Sequence, residues 1–153
     1  MIKLKEAKKI VDDLIDNNDI KLPSNSTLRR WAMNGLITKV EEFEKLGRTG
    51  GRIGLYDDTL PLQIYTVLKL KNDLELKKVS ERNKEILTII KENNDIELII
   101  NKFEEKIDED WVIGGENEEE MLERIVEKHE KKSLLKKYAK YFKEAALKLK
   151  KVV

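Results

Sequence analysis

The segment Ser24-Asn25-Ser26-Thr27-Leu28-Arg29-Arg30-Trp31-Ala32-Met33-Asn34-Gly35-Leu36-Ile37 constrains this chain more than any other. It holds both a start and a stop for one short helix, at about 25–34. Ser24, Asn25 and Ser26 offer side-chain oxygens to the unpaired amides of a first turn. Gly35 stands where a helix ends in a left-handed residue. Leu28, Trp31 and Ile37 can pack inward at helical spacing, which leaves Ser26, Thr27, Arg29 and Arg30 facing outward. Hydroxyls and guanidinium groups near a helix N-terminus suit phosphates and base edges in a DNA major groove. Downstream, Arg48, Gly50-Gly51-Arg52 and Tyr56-Asp57 read as a glycine-rich, basic hairpin that can lie beside the same duplex.

These elements come in a definite order: Thr27-Leu28-Arg29, the aromatic Trp31, Gly35-Leu36-Ile37, a basic loop, Gly50-Gly51-Arg52, Tyr56-Asp57 and a following helix. In that order the chain resembles the MerR family of winged helix-turn-helix proteins over roughly residues 1–80. The resemblance implies a recognition helix in the major groove, a wing whose arginines grip the flanking backbone, and two copies reading a two-fold site. Carried over residue by residue, the DNA-binding set is Ser26, Thr27, Arg29, Arg30, Arg48, Arg52 and Tyr56. One departure concerns the wing. The family separates its Arg and Tyr by a single residue, whereas Ile53-Gly54-Leu55 lie between Arg52 and Tyr56 here. The wing is therefore longer or differently bent.

Charged residues make up 40% of the 153 residues, with only seven glycines and two prolines, which suits long solvated helices. There is no cysteine and a single histidine, His129. Disulfides, thiolate metal sites and cysteine nucleophiles are excluded, and a zinc site or a Ser-His-Asp triad has little material. Cysteine-based metal-sensing MerR proteins are therefore poor models. Gly47-Arg48-Thr49-Gly50-Gly51 lacks the trailing Gly-Lys-Ser/Thr of a phosphate-binding loop. No catalytic residue, metal or cofactor is expected, and the protein is not read as an enzyme. The start lacks a signal-peptide core and no apolar run is long enough to span a bilayer, so a cytosolic protein is expected.

The fold expected is mainly α, in three parts: a winged helix-turn-helix over 1–75, a coiled-coil or bundle oligomerisation region over 76–110, and a loop with a C-terminal helix over 111–153. Leu4, Ala7, Ile10, Val11, Leu14 and Ile15 predict a first helix over 3–17, ended by Asn17-Asn18-Asp19. Thr38 to Tyr56 predicts the wing, as a two-stranded hairpin. Asp57 or Asp58 can cap a third helix, with Pro61 in its first turn. From Leu76, residues 79, 86, 93, 100 and 107 recur every seven positions. Val79, Ile86, Ile90, Ile100, Phe103 and Ile107 are the expected oligomerisation seam. Two readings fit the middle of this stretch. Asn93 can be a polar layer in a continuous helix, or Asn94 with Glu97 can cap a second arm of a helical hairpin. Asn117 with Glu120 predicts the start of the final helix.

Net charge is +1 for the whole chain and hides a sharp asymmetry. Between 108 and 130 there are ten acidic residues against Arg124 and Lys128; between 131 and 153 there are nine lysines against Glu144. In the basic half, Leu135, Tyr138, Ala139, Phe142, Ala146, Leu149 and Val153 form one helical stripe flanked by lysines. Lys136, Lys137, Lys140, Phe142, Lys143, Lys148, Leu149 and Lys151 are the candidate anion-binding tail. Such a helix suits an anionic membrane surface, which would place the protein peripherally at the inner face. It equally suits a DNA backbone or an acidic protein partner, and the bland alternative is a stripe packed on the rest of the protein. With this tail the arrangement is similar to the MerR-like accessory proteins of tubulin-type (type III) plasmid and phage partition systems. That resemblance implies a tubulin-like GTPase filament as a partner. The alternative is an effector-responsive MerR-type transcriptional regulator with a pocket around Trp111.

Overall fold

Scarce glycine and proline leave helix as the default, and the computed structural model, which describes residues 1–15, 20–48, 50–109 and 116–152, is mainly helical. In chain order the elements are β1 (Ile2–Lys3), α1 (Leu4–Leu14), α2 (Asn25–Met33), β2 (Glu42–Lys45), β3 (Arg52–Tyr56), α3 (Leu60–Leu70), α4 (Leu76–Arg82), α5 (Lys84–Glu92), α6 (Ile96–Asp108) and α7 (Glu118–Val152). The expected helix end at Asn17-Asn18-Asp19, Trp111 and Val153 lie outside the described residues.

The hairpin is one strand larger than expected. Ile2 and Lys3 pair with Tyr56 and Leu55, so the sheet is three-stranded, antiparallel, in the order β1-β3-β2. Thr59, not an aspartate, is the residue before α3, and Asp57 Oδ1 accepts from the Thr59 amide at 2.8 Å. Behind this start lies a buried polar network. Gln63 Oε1 accepts from the Thr38 amide at 2.9 Å, and Gln63 Nε2 donates to the hydroxyls of Thr38 and Thr59. It ties the first residue of the wing segment to α3.

The stretch from Leu76 is not one helix. Asn83, fully buried, separates α4 from α5 and donates from Nδ2 to the Leu36 carbonyl at 3.4 Å. Asn93 donates back to the Ile89 carbonyl, and Asp95 caps α6 by accepting from the Glu97 amide at 2.9 Å. The turn reading is therefore the one realised, with the cap one residue later than Asn94. Val79, Ile86, Ile90 and Phe103 are buried in this chain's own core, and Ile100 and Ile107 are half-buried against it. This corrects the seam: these side chains are already covered without a second copy.

The tail covers part of this surface, while α5 packs on α6 and α4. Helix α7 packs along α3, α6 and α1 and meets α4. Leu134, Leu135, Tyr138, Ala139, Phe142, Ala145 and Ala146 are buried. Phe103 meets Tyr138 and Phe142 edge-on, with ring centroids 5.8 and 5.5 Å apart. Residues from all three predicted parts thus share one apolar cluster. Phe142 and Leu149 are corrected from surface-binding to packing residues. Lys148 is corrected as well. Its ammonium lies 3.5 Å from the Leu14 carbonyl, 3.9 Å from Glu144 and 5.3 Å from the centre of the Tyr65 ring. A cation there complements the carbonyl end of α1. Lys137 is half-buried, whereas Lys136, Lys140, Lys143 and Lys151 stay exposed. Lys143 and Lys150 reach Glu104 and Glu97 on α6 at 3.7 and 3.6 Å. Among the described residues, no helix is long and apolar enough to cross a membrane.

Candidate nucleic-acid interface

Helix α2 is built as its sequence dictates. Ser24 Oγ accepts from the Thr27 amide at 3.2 Å and so caps the first turn. At the other end Gly35 has φ +80°, the Leu36 amide donates to the Trp31 carbonyl at 2.9 Å and the Gly35 amide to Ala32 at 3.3 Å. This paired closure is a Schellman stop, which needs the left-handed residue. Leu28, Trp31, Ala32 and Ile37 are buried. Ser26, Arg29 and Arg30 are exposed. Thr27 is half-buried, and its hydroxyl accepts from Ser24 Oγ at 3.0 Å and Arg30 Nη2 at 3.4 Å. Thr27 therefore positions Arg30 as much as it offers a free hydroxyl. Met33, beside them, is strongly exposed, a position that the sequence pattern does not mark out.

The β2–β3 hairpin supplies a second cationic surface. At its tip, a Cβ on Gly50 would collide with the Leu46 carbonyl oxygen, so only glycine closes this turn without displacement. Arg48 sits in the turn, exposed. In the β2–β3 ladder Lys45 lies directly opposite Arg52, and Phe43 opposite Gly54. Opposed residues share a face, so Phe43, Lys45 and Arg52 lie together, on the face that Tyr56 also shares. The Arg52 guanidinium lies over the Phe43 ring, 5.0 Å from its centroid. Like charges directly opposite each other destabilise a ladder. An anion seated over Lys45 and Arg52 removes that cost. The other face is different: it carries Glu42 and Glu44, with Glu44 paired to Lys3 at 3.1 Å.

Tyr56 needs correcting. It is buried, paired with Ile2 at the base of the sheet, and burial pushes its phenol pKa up while the nearby Arg29 pulls it down. It lies at the buried base of that same face, with Arg29 of α2 nearby. Lys45 and Phe43 were missed, although the pattern Glu42-Phe43-Glu44-Lys45 carries the two-residue alternation that separates the faces. The tail lysines belong to α7, a different element from α2 and the wing.

The chain matches no protein-family model, no curated protein and no solved structure.

Proposed function

We propose that this chain is a DNA-binding regulatory protein of the MerR-like winged helix-turn-helix kind, working as a homo-oligomer. Arg29 and Arg30 on α2 read or grip the major groove, and Arg48 and Arg52, joined by Lys45, hold the flanking phosphates. The observation that carries this reading is the Lys45–Arg52 pair: two cations directly opposed on one face of the hairpin, with Arg52 stacked on Phe43, in a chain whose capped helix α2 also exposes two arginines. That constellation favours a polyanion. The buried Thr38–Gln63–Thr59 network supports it by fixing the wing against the helices.

The tail bears on the biological setting. Its exposed lysines, Lys136, Lys140, Lys143 and Lys151, offer a second anionic surface a basic helix face. A regulator with two anionic partners fits an accessory protein of a tubulin-like plasmid or phage partition system, of the TubY kind. Its partners there are DNA, a tubulin-like filament and an anionic membrane face.

Fluorescence anisotropy with duplex DNA from around the protein's own gene tests the first claim, over a range of salt. Arg29→Ala with Arg30→Ala weakens binding by about 1–3 kcal/mol for each base edge that is no longer recognised. Lys45→Ala with Arg52→Ala weakens binding to all sequences alike and lowers the salt slope by about two. Binding that both pairs leave unchanged sinks the interface. Vesicle flotation of the Lys136→Ala, Lys140→Ala, Lys143→Ala variant tests the tail, and undiminished flotation excludes that lysine face.

A further inference from the structure

The outward face of α2 ends in an apolar side chain. At about 100° per residue, Ser26, Arg29, Arg30 and Met33 fall on one arc of the helix, opposite the buried Leu28, Trp31 and Ala32. Met33 lies close to the middle of that arc. It is 79% exposed, more than any other large apolar side chain among the described residues. Arg30 is drawn away from it, because its guanidinium donates to the Thr27 hydroxyl at 3.4 Å, toward the first turn. Beyond Met33 the chain turns at Gly35, and Leu36 and Ile37 are buried. Met33 is therefore the last side chain of the arc. Helical side chains lean back toward the N-terminus, so its thioether is aimed along the same stripe as the two arginines. Single exposed apolar residues are ordinary. This one stands in a face otherwise made of a hydroxyl and two guanidinium groups.

We propose that Met33 reads the C5-methyl group of a thymine. This rests on the reading of α2 as a major-groove helix, and it assigns a base to the end of that helix. The nine residues of α2 extend about 13 Å at 1.5 Å each, and the major groove is about 12 Å wide. The last turn of so short a helix therefore reaches the base edges together with the first. From Ser26 to Met33 is about 10 Å, the rise of about three base pairs. On that floor every base edge presents hydrogen-bond donors or acceptors, and only thymine adds an apolar group. The arginines and Ser26 have hydrogen-bonding partners there. A thioether donates nothing and accepts weakly, so its one complementary partner is the methyl group. Methionine is unbranched and polarizable and fits such a contact without a single fixed geometry. Over guanine or cytosine the same side chain strips water from polar edges and returns no hydrogen bond, which selects against them.

Selection of sites from a random duplex pool by the full chain, followed by fluorescence anisotropy on the selected duplex, tests this. The parent is expected to fix thymine at one position of the site. Met33→Ala relaxes that position, while Arg29→Ala with Arg30→Ala relaxes others. Replacing that thymine by uracil removes the methyl and leaves every hydrogen-bonding group in place. The parent then binds about fourfold more weakly, the equivalent of about 0.8 kcal/mol for one methyl-sized group left uncovered. Met33→Ala binds the thymine and uracil duplexes alike. Its melting midpoint does not fall, because position 33 faces solvent and alanine is the better helix former. A parent indifferent to uracil overturns the proposal. So does a Met33→Ala chain that keeps the parent's preference, which then belongs to the shape of the duplex. Either result leaves α2 a DNA-reading helix as long as the arginine pair still sets other positions. Absence of binding to any duplex overturns this proposal and the reading on which it rests.

Discussion

Replacing Phe142 with alanine separates a packing tail from a surface-binding one. Phe142 is fully buried, edge-on to Phe103 at 5.5 Å and stacked near Tyr138 at 6.1 Å. Its ring fills the junction of α6 and α7, and neither helix can collapse far into the space it leaves. Deleting a buried phenyl in such a site costs about 3–5 kcal/mol. Domains are stable by only about 5–15 kcal/mol, so the loss is a large share of the total. For a chain of this length each kcal/mol moves the midpoint by about 2–4 °C, giving a fall of about 6–20 °C. Thermal unfolding followed by far-UV circular dichroism measures it. Lys140→Ala is the control: exposed and two residues earlier on the opposite side of α7, it is expected within about 0.5 kcal/mol of the parent. An unchanged midpoint for Phe142→Ala, together with abolished vesicle binding, refutes the reasoning and returns the ring to the surface.

Gly35→Ala forces an L-residue to φ +80° at the stop of α2 and costs about 1 kcal/mol, read as a lower melting midpoint. Gln63→Leu leaves the buried Thr38 amide without its acceptor, costs about 1–3 kcal/mol, and loosens the wing, so DNA affinity falls with stability. Tyr138 buries its hydroxyl with no partner among the described residues, and burial pushes its pKa well above the usual tyrosine value. The folded pKa exceeds the unfolded value of about 10, so the folded state is fully favoured below that pH and loses stability as pH rises through it. Tyr138→Phe is therefore expected to be at least as stable as the parent at neutral pH and to lose less stability in alkaline unfolding titrations.

Much of this was legible where the signal is local. Ser24 and Gly35 bracket α2 because caps act within one turn. Asn117 and Glu120 start α7 by the same logic, with Asn117 Oδ1 accepting from the Glu120 amide at 2.8 Å. What periodicity cannot say is which surface covers a stripe. Val79, Ile86, Ile90 and Phe103 form a sound apolar face, and its cover is this chain's own core, with α7 supplying the rings on Phe103 from more than thirty residues away in sequence. The basic tail misled for the mirror-image reason: Phe142 has the spacing of a membrane-facing residue, yet its partner is Phe103. Tyr56 was misplaced because its neighbour Ile2 lies in a two-residue strand, too short to announce itself.

Helix α7 has a mechanical role. Its core face locks to α3, α3 carries Gln63, and Gln63 holds Thr38 at the root of the wing. Arg82 braces the other end of α4 against Glu127 and Glu130, while Asn83 next to it holds the Leu36 carbonyl behind α2. Both halves of the cationic surface are thus tied, through buried hydrogen bonds and a half-buried ion pair, to one long rod. A rigid link of this kind lets whatever binds the outer face of α7 set the position of α2 and the wing. In the proposed homo-oligomer, each recognition helix is then held to its own body by helix packing and not by a flexible linker. Half-site spacing on DNA should then be strict, because adding base pairs between half-sites rotates one of them around the duplex, by about a half turn for five. Loss of that strictness in Gln63→Leu, with dimerisation intact, would locate the coupling in α3 and the wing root.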